Sequence, residues 1–355
     1  MMANRNIPEA PIVGVDIPAP KRVGMFEISK ANDTVRRQSL LPDPVDLYHQ
    51  LWHEGEIACL FADTNVGKSV LAVQIGEAIA ESKPVLYVDC ELSDKQFQIR
   101  YTSKENHSLH VFPDMFYRGS ISPDGLEQID ISYEDLIMNN IEVAANKIGA
   151  KVIIIDNLTF LCLGSEKGEE AALLMLKLCR LKRRYEWSVL VIAHTPKRRE
   201  WDPITTNDLA GSRKLANFFD TIFALGKCHH DENIRYVIQL KARMAEYTYT
   251  RDHVLKCRLE KVDGNCLRLT ELGSSTEREM LADSPNMALK EEAARLHDEE
   301  HLTYKEIGEK LGRKSSTVHG WVKEYRILQQ REMAYREEEI EDVEEEVEER
   351  EDDQM

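Results

Sequence analysis

The sequence predicts an α/β protein: a mostly parallel sheet with an antiparallel edge, followed by a small C-terminal helical unit. Three observations predict it. Between residues 45 and 272, short apolar runs alternate with helical stretches. Three strand-like segments then follow with little helix between them. A last periodic block, residues 287–328, has the rhythm of two helices joined at a glycine.

Taken in order, residues 1–44 are rich in proline and polar residues and lack a clear period, which predicts an irregular N-terminal arm. The apolar runs are 57–61, 85–88, 152–155, 189–193 and 221–225. Continuous runs of this length suit strands covered on both faces, as in a parallel sheet. The helical stretches between them give β-α-β alternation. Segments 235–240, 253–260 and 266–269 extend the sheet in antiparallel fashion, with Val262-Asp263-Gly264-Asn265 as a hairpin turn. Gly273-Ser274-Ser275 and Ser284-Pro285 mark residues 273–286 as a linker, and residues 329–355 form an acidic disordered tail. A chain of 355 residues accommodates one large domain, 45–272, and one small one, 287–328.

The net charge of −17 argues at first against nucleic acid. However, residues 331–355 hold 14 acidic and 3 basic residues, which leaves only −6 for the rest. Charge therefore does not exclude a nucleic-acid partner. Seven scattered cysteines with no C-x-x-C pair indicate neither a disulfide framework nor a zinc site. Cys228-His229-His230-Asp231 looks metal-like but lies between strand-like runs and reads as a turn. The N-terminus has no apolar signal core, and no run approaches the ~18 apolar residues of a membrane span. A cytoplasmic protein without a membrane partner is expected.

Chemistry enters at FADTNVGKSV, residues 61–70. A phosphate-binding loop reads G-x-x-x-x-G-K-[ST] after a strand and before a helix. Here Ala62 stands at the first glycine, and Asn65 holds a place where a second glycine often sits. Asn65 tolerates a left-handed backbone, and Ala62 adds one methyl group. Asp63, Thr64, Asn65, Val66, Gly67, Lys68, Ser69 and Val70 would then cradle a nucleotide. Gly67 admits close approach of phosphate, Lys68 neutralises its oxygens, and Ser69 ligates Mg²⁺. The alternative is a chance GKS in an ordinary strand-helix turn. Asp156 ends the buried strand KVIIID and would complete the magnesium site through water; a plain capping aspartate is the alternative. Glu91, in VDCE at the end of the strand after the loop's helix, would orient and deprotonate a water. Ser93-Asp94 beyond it make a helix N-cap region the competing reading.

With these residues the chain resembles the RecA-like ATPases, and most of all the RepA-type hexameric helicase group. The matching segments are the loop 62–69, VDCEL with Glu91, VIIID with Asp156, VIAHT with His194, LAGSRKLANFFD over 209–220, and the K-x-R of Lys241 and Arg243. The resemblance implies that Glu91 is the catalytic base and that His194 senses the γ-phosphate. It also implies that Lys241 and Arg243 reach the ATP of a neighbouring subunit. By physical reading alone His194 is a ligand-facing or a core histidine. Lys241 and Arg243 would alternate on one face of a strand, as a clamp on phosphate charge or a solvated edge. Segment 195–207 combines Lys197, Arg198, Arg199 and Trp201, cations with a stacking ring as in single-strand binding. The resemblance places this loop in a central channel; an ordinary surface loop is the alternative. Ser165-Glu166-Lys167-Gly168 is a weaker second loop candidate.

Residues 302–325 have helix-turn-helix rhythm, with Ile307 and Leu311 facing the core, Gly312 at the turn, and Val318, Trp321 and Val322 on one face. This resembles sigma-factor-like and resolvase-type DNA-binding domains. Lys314, Ser315, Ser316, Thr317 and His319 would start or line the recognition helix, with Lys323 toward backbone phosphate. A protein-interaction module is the alternative, and Glu306, Glu309 and Glu324 count against DNA. The expectation is an ATP- and Mg²⁺-dependent oligomeric ATPase, a hexamer in the resembling group. It binds single-stranded DNA in its ring or filament, and duplex DNA through the C-terminal domain. It acts either as a helicase or motor, or as an ATP-dependent DNA-binding regulator.

Overall fold

The computed structural model describes residues 17–122, 132–158, 168–195, 198–209, 213–283, 286–327 and 329. Two compact units form, Met1–Arg198 with Ile204–Met280, and Arg199–Pro203 with Leu281–Met355.

The expected irregular arm carries structure over its described part. A hairpin of β1 (Lys21–Val23) and β2 (Phe26–Ile28) precedes helix α1 (Ala31–Gln38). No residue of these elements is buried, which is why no core-facing period is legible there. A second small hairpin, β3 (Asp46–Tyr48) and β4 (Trp52–His53), leads into the sheet.

The large unit is built from β5 (Ile57–Ala62), α2 (Lys68–Ala80), β6 (Val85–Asp89), α3 (Asp94–Arg100), β7 (Phe116–Ser120), α4 (Tyr133–Ile148), β8 (Val152–Asp156), α5 (Gly168–Tyr185), β9 (Ser188–His194), β10 (Thr221–Lys227), β11 (Ile234–Lys241), β12 (Val254–Val262) and β13 (Cys266–Ser275). They form one sheet in the order β13-β12-β11-β10-β5-β9-β8-β6-β7. The strands from β10 to β7 run parallel, and β11, β12 and β13 add an antiparallel edge. A mostly parallel sheet with an antiparallel edge is what the sequence predicts.

Every residue of β5 is buried, which explains its unbroken apolar run. Ile57, Cys59 and Phe61 join the core on the face of α4 and α5, while Ala58, Leu60 and Ala62 join the core under α2. Strand β7 escapes a sequence reading because FYRGS is half covered and mixed in polarity. The β12–β13 turn places Asp263 and Gly264 at φ 52 and 73, as a tight hairpin requires. The expected linker at 273–286 begins inside β13 and continues into a helical turn at Glu277–Met280 with both end residues buried. Its small residues permit that backbone rather than free it.

Among the described residues the small unit has three helices, α6 (Met287–Asp298), α7 (Tyr304–Leu311) and α8 over 315–327. Ala293, Leu296, Ile307, Val318, Trp321 and Val322 make its core. Gly312 closes α7 at φ 64. Glu306 completes a capping box, accepting from the Thr303 amide at 2.8 Å, and Glu324 pairs with Lys290 at 2.6 Å. Two of the three acids that count against DNA are thus engaged inside the unit. Gly308 has no room for a side chain: an added Cβ would stand 2.6 Å from the Arg313 carbonyl oxygen. Gly308→Ala is expected to cost roughly 1–3 kcal/mol, as overpacking does, read as lost hydrogen-exchange protection across α6 to α8. Unchanged protection would show that the turn yields freely.

Candidate active site

Parallel pairing brings the carboxyl ends of four strands to one edge. Ala62 of β5 aligns with His194 of β9, Asp156 of β8 with Ile192, and Asp89 of β6 with Asp156. The chemistry-bearing residues collect on that edge.

The loop leaves β5 at Ala62 and enters α2 at Lys68. Asn65 takes the left-handed conformation at φ 63, and Gly67 stands at φ 115, where a side chain would be strained. Helix α2 starts with no side-chain cap and no acid in its first turn. Its leading amides and positive dipole end are thus left for an anion. Lys68 folds back across the loop, donating to the Ala62 and Asp63 carbonyls at 3.1 Å each. Burial lowers its pKa, while Asp156, Glu91 and Asp63 act in the opposite sense. Beneath the loop, Arg235 is 5 % exposed and donates from Nε to the Val66 carbonyl at 2.7 Å. No sequence motif marks Arg235; an arginine at the start of an apolar strand was the available signal.

The Tyr87 hydroxyl donates to Asp156 Oδ2 at 2.7 Å. Ser69 stands near enough to the same carboxyl to act on its pKa. Burial raises the Asp156 pKa, Ser69 and Tyr87 lower it, and Glu91 and Asp89 push it up further. A hydroxyl and a buried carboxylate near one another, set beside Lys68, form a donor set that fits Mg²⁺.

Glu91 is held by its neighbours on two levels. Asp89 Oδ1 accepts from the Glu91 and Leu92 amides at 3.1 and 2.9 Å, an Asx-type turn at the strand end. Arg118 of β7 clamps that turn, donating to Asp89 Oδ2 at 3.0 Å, Asp94 Oδ1 at 2.6 Å and the Leu92 carbonyl at 2.6 Å. Above it, Glu91 Oε1 meets Asn157 Nδ2, and His194 Nε2 stands 3.3 Å from Glu91 Oε1 and 3.0 Å from Asn157 Nδ2. His194 Nδ1 is buried without a hydrogen-bond partner among the described residues. Asn157 is absent from the sequence reading, although a polar residue directly after Asp156 was a usable signal.

Lys241 and Arg243 do not join this group. Strand β11 is antiparallel to β10, with Lys227 opposite Arg235 and Ile222 opposite Lys241. Lys241 therefore lies where the parallel strands begin, at the far end from the loop. It donates to the Ala216 and Phe219 carbonyls at 2.8 and 2.7 Å. Arg243 lies past the strand end rather than alternating with Lys241 along it, because β11 stops at Lys241. It donates to Asp220 Oδ1 at 2.9 Å and to the Asn217 carbonyl at 3.0 Å.

The basic segment after His194 divides. Lys197 and Ser165-Glu166-Lys167 lie outside the described residues, and Gly168 begins α5. Arg198 turns inward, its side chain 10 % exposed and its Nε 3.4 Å from Asp63 Oδ2, so it does not offer its charge at the surface. Arg199 is exposed, its guanidinium 5.9 Å from the Trp201 ring centroid. In the small unit Lys314, Ser315, Ser316, His319 and Lys323 are exposed and Thr317 is half-buried. The Lys314 carbonyl accepts the first amides of α8, from Thr317 and Val318 at 2.9 and 3.1 Å.

Among the described residues no helix is long and apolar enough to cross a membrane. Residues 26–200 match the AAA domain family, and residues 284–330 match the homeodomain-like domain family. No curated protein matches the chain. Among solved structures it is similar to a KaiC-like protein from the hyperthermophilic archaeon Pyrococcus horikoshii. The two share 16 % identity over 61 % of this chain and 90 % of that one, with a TM-score of 0.45. Residues 26–200 thus resemble an AAA-type P-loop ATPase domain, and residues 284–330 a homeodomain-like helix-turn-helix domain.

Proposed function

We propose that this protein is an oligomeric, DNA-directed ATP hydrolase, a helicase or motor serving replication, recombination or mobile-element transfer. One observation carries the reading: the loop lysine, the Ser69–Asp156 pair and the Glu91–Asn157–His194 group converge on one strand edge. Residues 63–70 bind the triphosphate, with Lys68 moving from its loop carbonyls to phosphate oxygen. Ser69 and Asp156 would hold Mg²⁺, which when bound would neutralise charge on the phosphate oxygens. Glu91 accepts the proton of the attacking water, and its Asx turn and Arg118 keep it aimed. His194 and Asn157 contact the same carboxylate, so the state of the γ-phosphate is passed to the segment that follows β9. Single-stranded DNA meets that segment through Lys197, Arg199 and Trp201, with Arg198 tying it to Asp63. Lys314, Ser315, Ser316, Thr317, His319 and Lys323 of the small unit meet duplex DNA. Lys241 and Arg243 serve a neighbouring subunit's nucleotide, in an assembly we take to be hexameric.

Strand displacement on a forked DNA substrate tests the motor. ATP-dependent displacement supports it. DNA-stimulated hydrolysis without displacement favours an ATP-dependent DNA-binding regulator, the reading that the paired domains equally support. Glu91→Gln is expected to bind ATP with near-normal affinity and to lower kcat by about 10²–10⁴-fold, the usual contribution of a general base. Its ATP-bound state should persist in a filter or gel-filtration assay. A wild-type kcat would assign the water to another residue.

A further inference from the structure

A second cluster lies away from the phosphate loop, where three chain segments meet. Glu77 comes from the outer part of α2, His110 from the segment before β7, and Cys266 from the first position of β13. His110 Nε2 is 2.6 Å from Glu77 Oε1 and 3.8 Å from Cys266 Sγ. The three donor atoms all lie within 4.8 Å of one another. Nothing in the order of the chain announces this, since His110 is separated by 33 residues from Glu77 and by 156 from Cys266.

The donor set is a thiol, an imidazole and a carboxylate, the three ligand types that zinc accepts. Bond lengths of about 2.3 Å to sulfur and 2.0–2.2 Å to nitrogen and oxygen put tetrahedral ligand atoms roughly 3.4–3.6 Å apart. The observed 3.8 Å between Nε2 and Sγ is close to that. The 2.6 Å between Nε2 and Oε1 is a hydrogen bond, which a small side-chain rotation would open. Cys266 is buried, whereas the His110 and Glu77 side chains are 16 % and 13 % exposed, so an ion has a way in.

Two features point beyond a hydrogen-bonded triad. The Tyr101 hydroxyl belongs to a residue 4 % exposed and has no hydrogen-bond partner among the described residues. Its ring lies 6.0 Å from that of His110. A buried hydroxyl without a partner is costly in a native structure, and a ligand held by the cluster would supply one. Arg268 Nη2, 3.5 Å from Glu77 Oε2, occupies the outer carboxylate oxygen and leaves Oε1 to the cluster. This is the arrangement that orients a metal-binding carboxylate.

We propose that Glu77, His110 and Cys266 form a site for a zinc-class divalent ion, with a water completing the tetrahedron against the Tyr101 hydroxyl. Binding releases the Cys266 thiol proton to solvent, and the imidazole proton moves from Nε2 to Nδ1. The ion pins α2, the 101–110 segment and the β12–β13 hairpin to one another. The hairpin already grips that segment, Lys261 Nζ donating to the Thr102 carbonyl at 2.7 Å and Asn265 Nδ2 to Ser108 Oγ at 3.3 Å.

The test uses the full chain, stripped with a chelator and titrated with Zn²⁺ and, separately, Co²⁺. One tightly bound equivalent of Zn²⁺ per chain is expected. Co²⁺ should give a thiolate charge-transfer band and intense tetrahedral ligand-field absorption. A Co²⁺ ion at Ser69 and Asp156 would give neither, since oxygen ligands alone surround it there. Cys266→Ser should abolish the charge-transfer band, and Cys266→Ser and His110→Gln should each weaken Zn²⁺ binding by about 100-fold or more, beyond the effect of losing an outer partner. His229→Asn/His230→Asn should leave both signals intact, which sets aside the Cys228–Asp231 turn. Circular dichroism of each variant separates a lost site from a lost fold, and His110→Gln decides if Cys266→Ser does not fold. Absence of the charge-transfer band in the unaltered chain, or Zn²⁺ affinity unchanged in either folded ligand variant, overturns the site.

Discussion

Lys68→Ala is expected to abolish ATP binding at working concentrations and to lower hydrolysis by at least about 10²–10³-fold, the loss typical of one stabilising donor in a preorganised site. The expected loss extends to binding because of what surrounds the ammonium. Asp63, Glu91 and Asp156 all act on it. Without Lys68 a triphosphate would meet the carboxylates and the loop amides alone. Burial already lowers the Lys68 pKa, so the folded state disfavours its charge rather than depending on it. The variant should therefore fold, and an undiminished melting temperature would confirm that the defect is chemical. Nucleotide titration and steady-state turnover provide the measurement. Turnover equal to that of the unaltered chain would remove the proposed role of the loop.

Arg243→Ala is expected to slow hydrolysis by about 10³–10⁵-fold, the range of well-studied arginine fingers, and to be rescued in mixture with Lys68→Ala. The geometry supplies the motive. Arg235 touches the loop at the Val66 carbonyl, and the strand then runs six residues to Lys241, toward the start of the parallel strands, where Arg243 binds Asp220. At about 3.3 Å per residue that is roughly 20 Å, far more than one arginine side chain spans. Arg243 cannot serve its own loop, and its side chain is 51 % exposed. In a mixed assembly some interfaces pair an intact Lys68 with an intact Arg243, and these should recover activity that neither parent shows. If mixed assemblies form and no ratio restores hydrolysis, Arg243 belongs to the Asp220 network of its own chain. Burial opposes ionisation of Asp220, but Lys182, the Ile57 amide and Arg243 together hold its pKa below the ordinary value. Loss of Arg243 leaves the first two in place, so unfolding is not the expected cause of the defect.

What the sequence by itself determined is local. Gly67, Lys68 and Ser69 between an apolar run and a helix, VDCE with Glu91, and VIIID with Asp156 are each legible because strand period and strand end are written in neighbouring residues. Parallel strands that share one edge then bring such ends together without further instruction. The antiparallel hairpin and the apolar face of α8 are legible for the same reason. The tertiary structure decided what depends on pairing order and on burial. Insertion of β9 between β5 and β8 sets His194 against Glu91 and Asn157. The edge strand β7 delivers Arg118 to the Asp89 turn, and the reversal of β11 puts Arg235 under the loop while carrying Lys241 away from it. Arg198 reads as a surface cation among other cations, yet it is drawn inward to Asp63. Glu77, His110 and Cys266 have no shared period or spacing at all. Side chains brought together by three separate segments leave no trace in local pattern, because their distance is set by how a helix and a hairpin pack rather than by the residues between them.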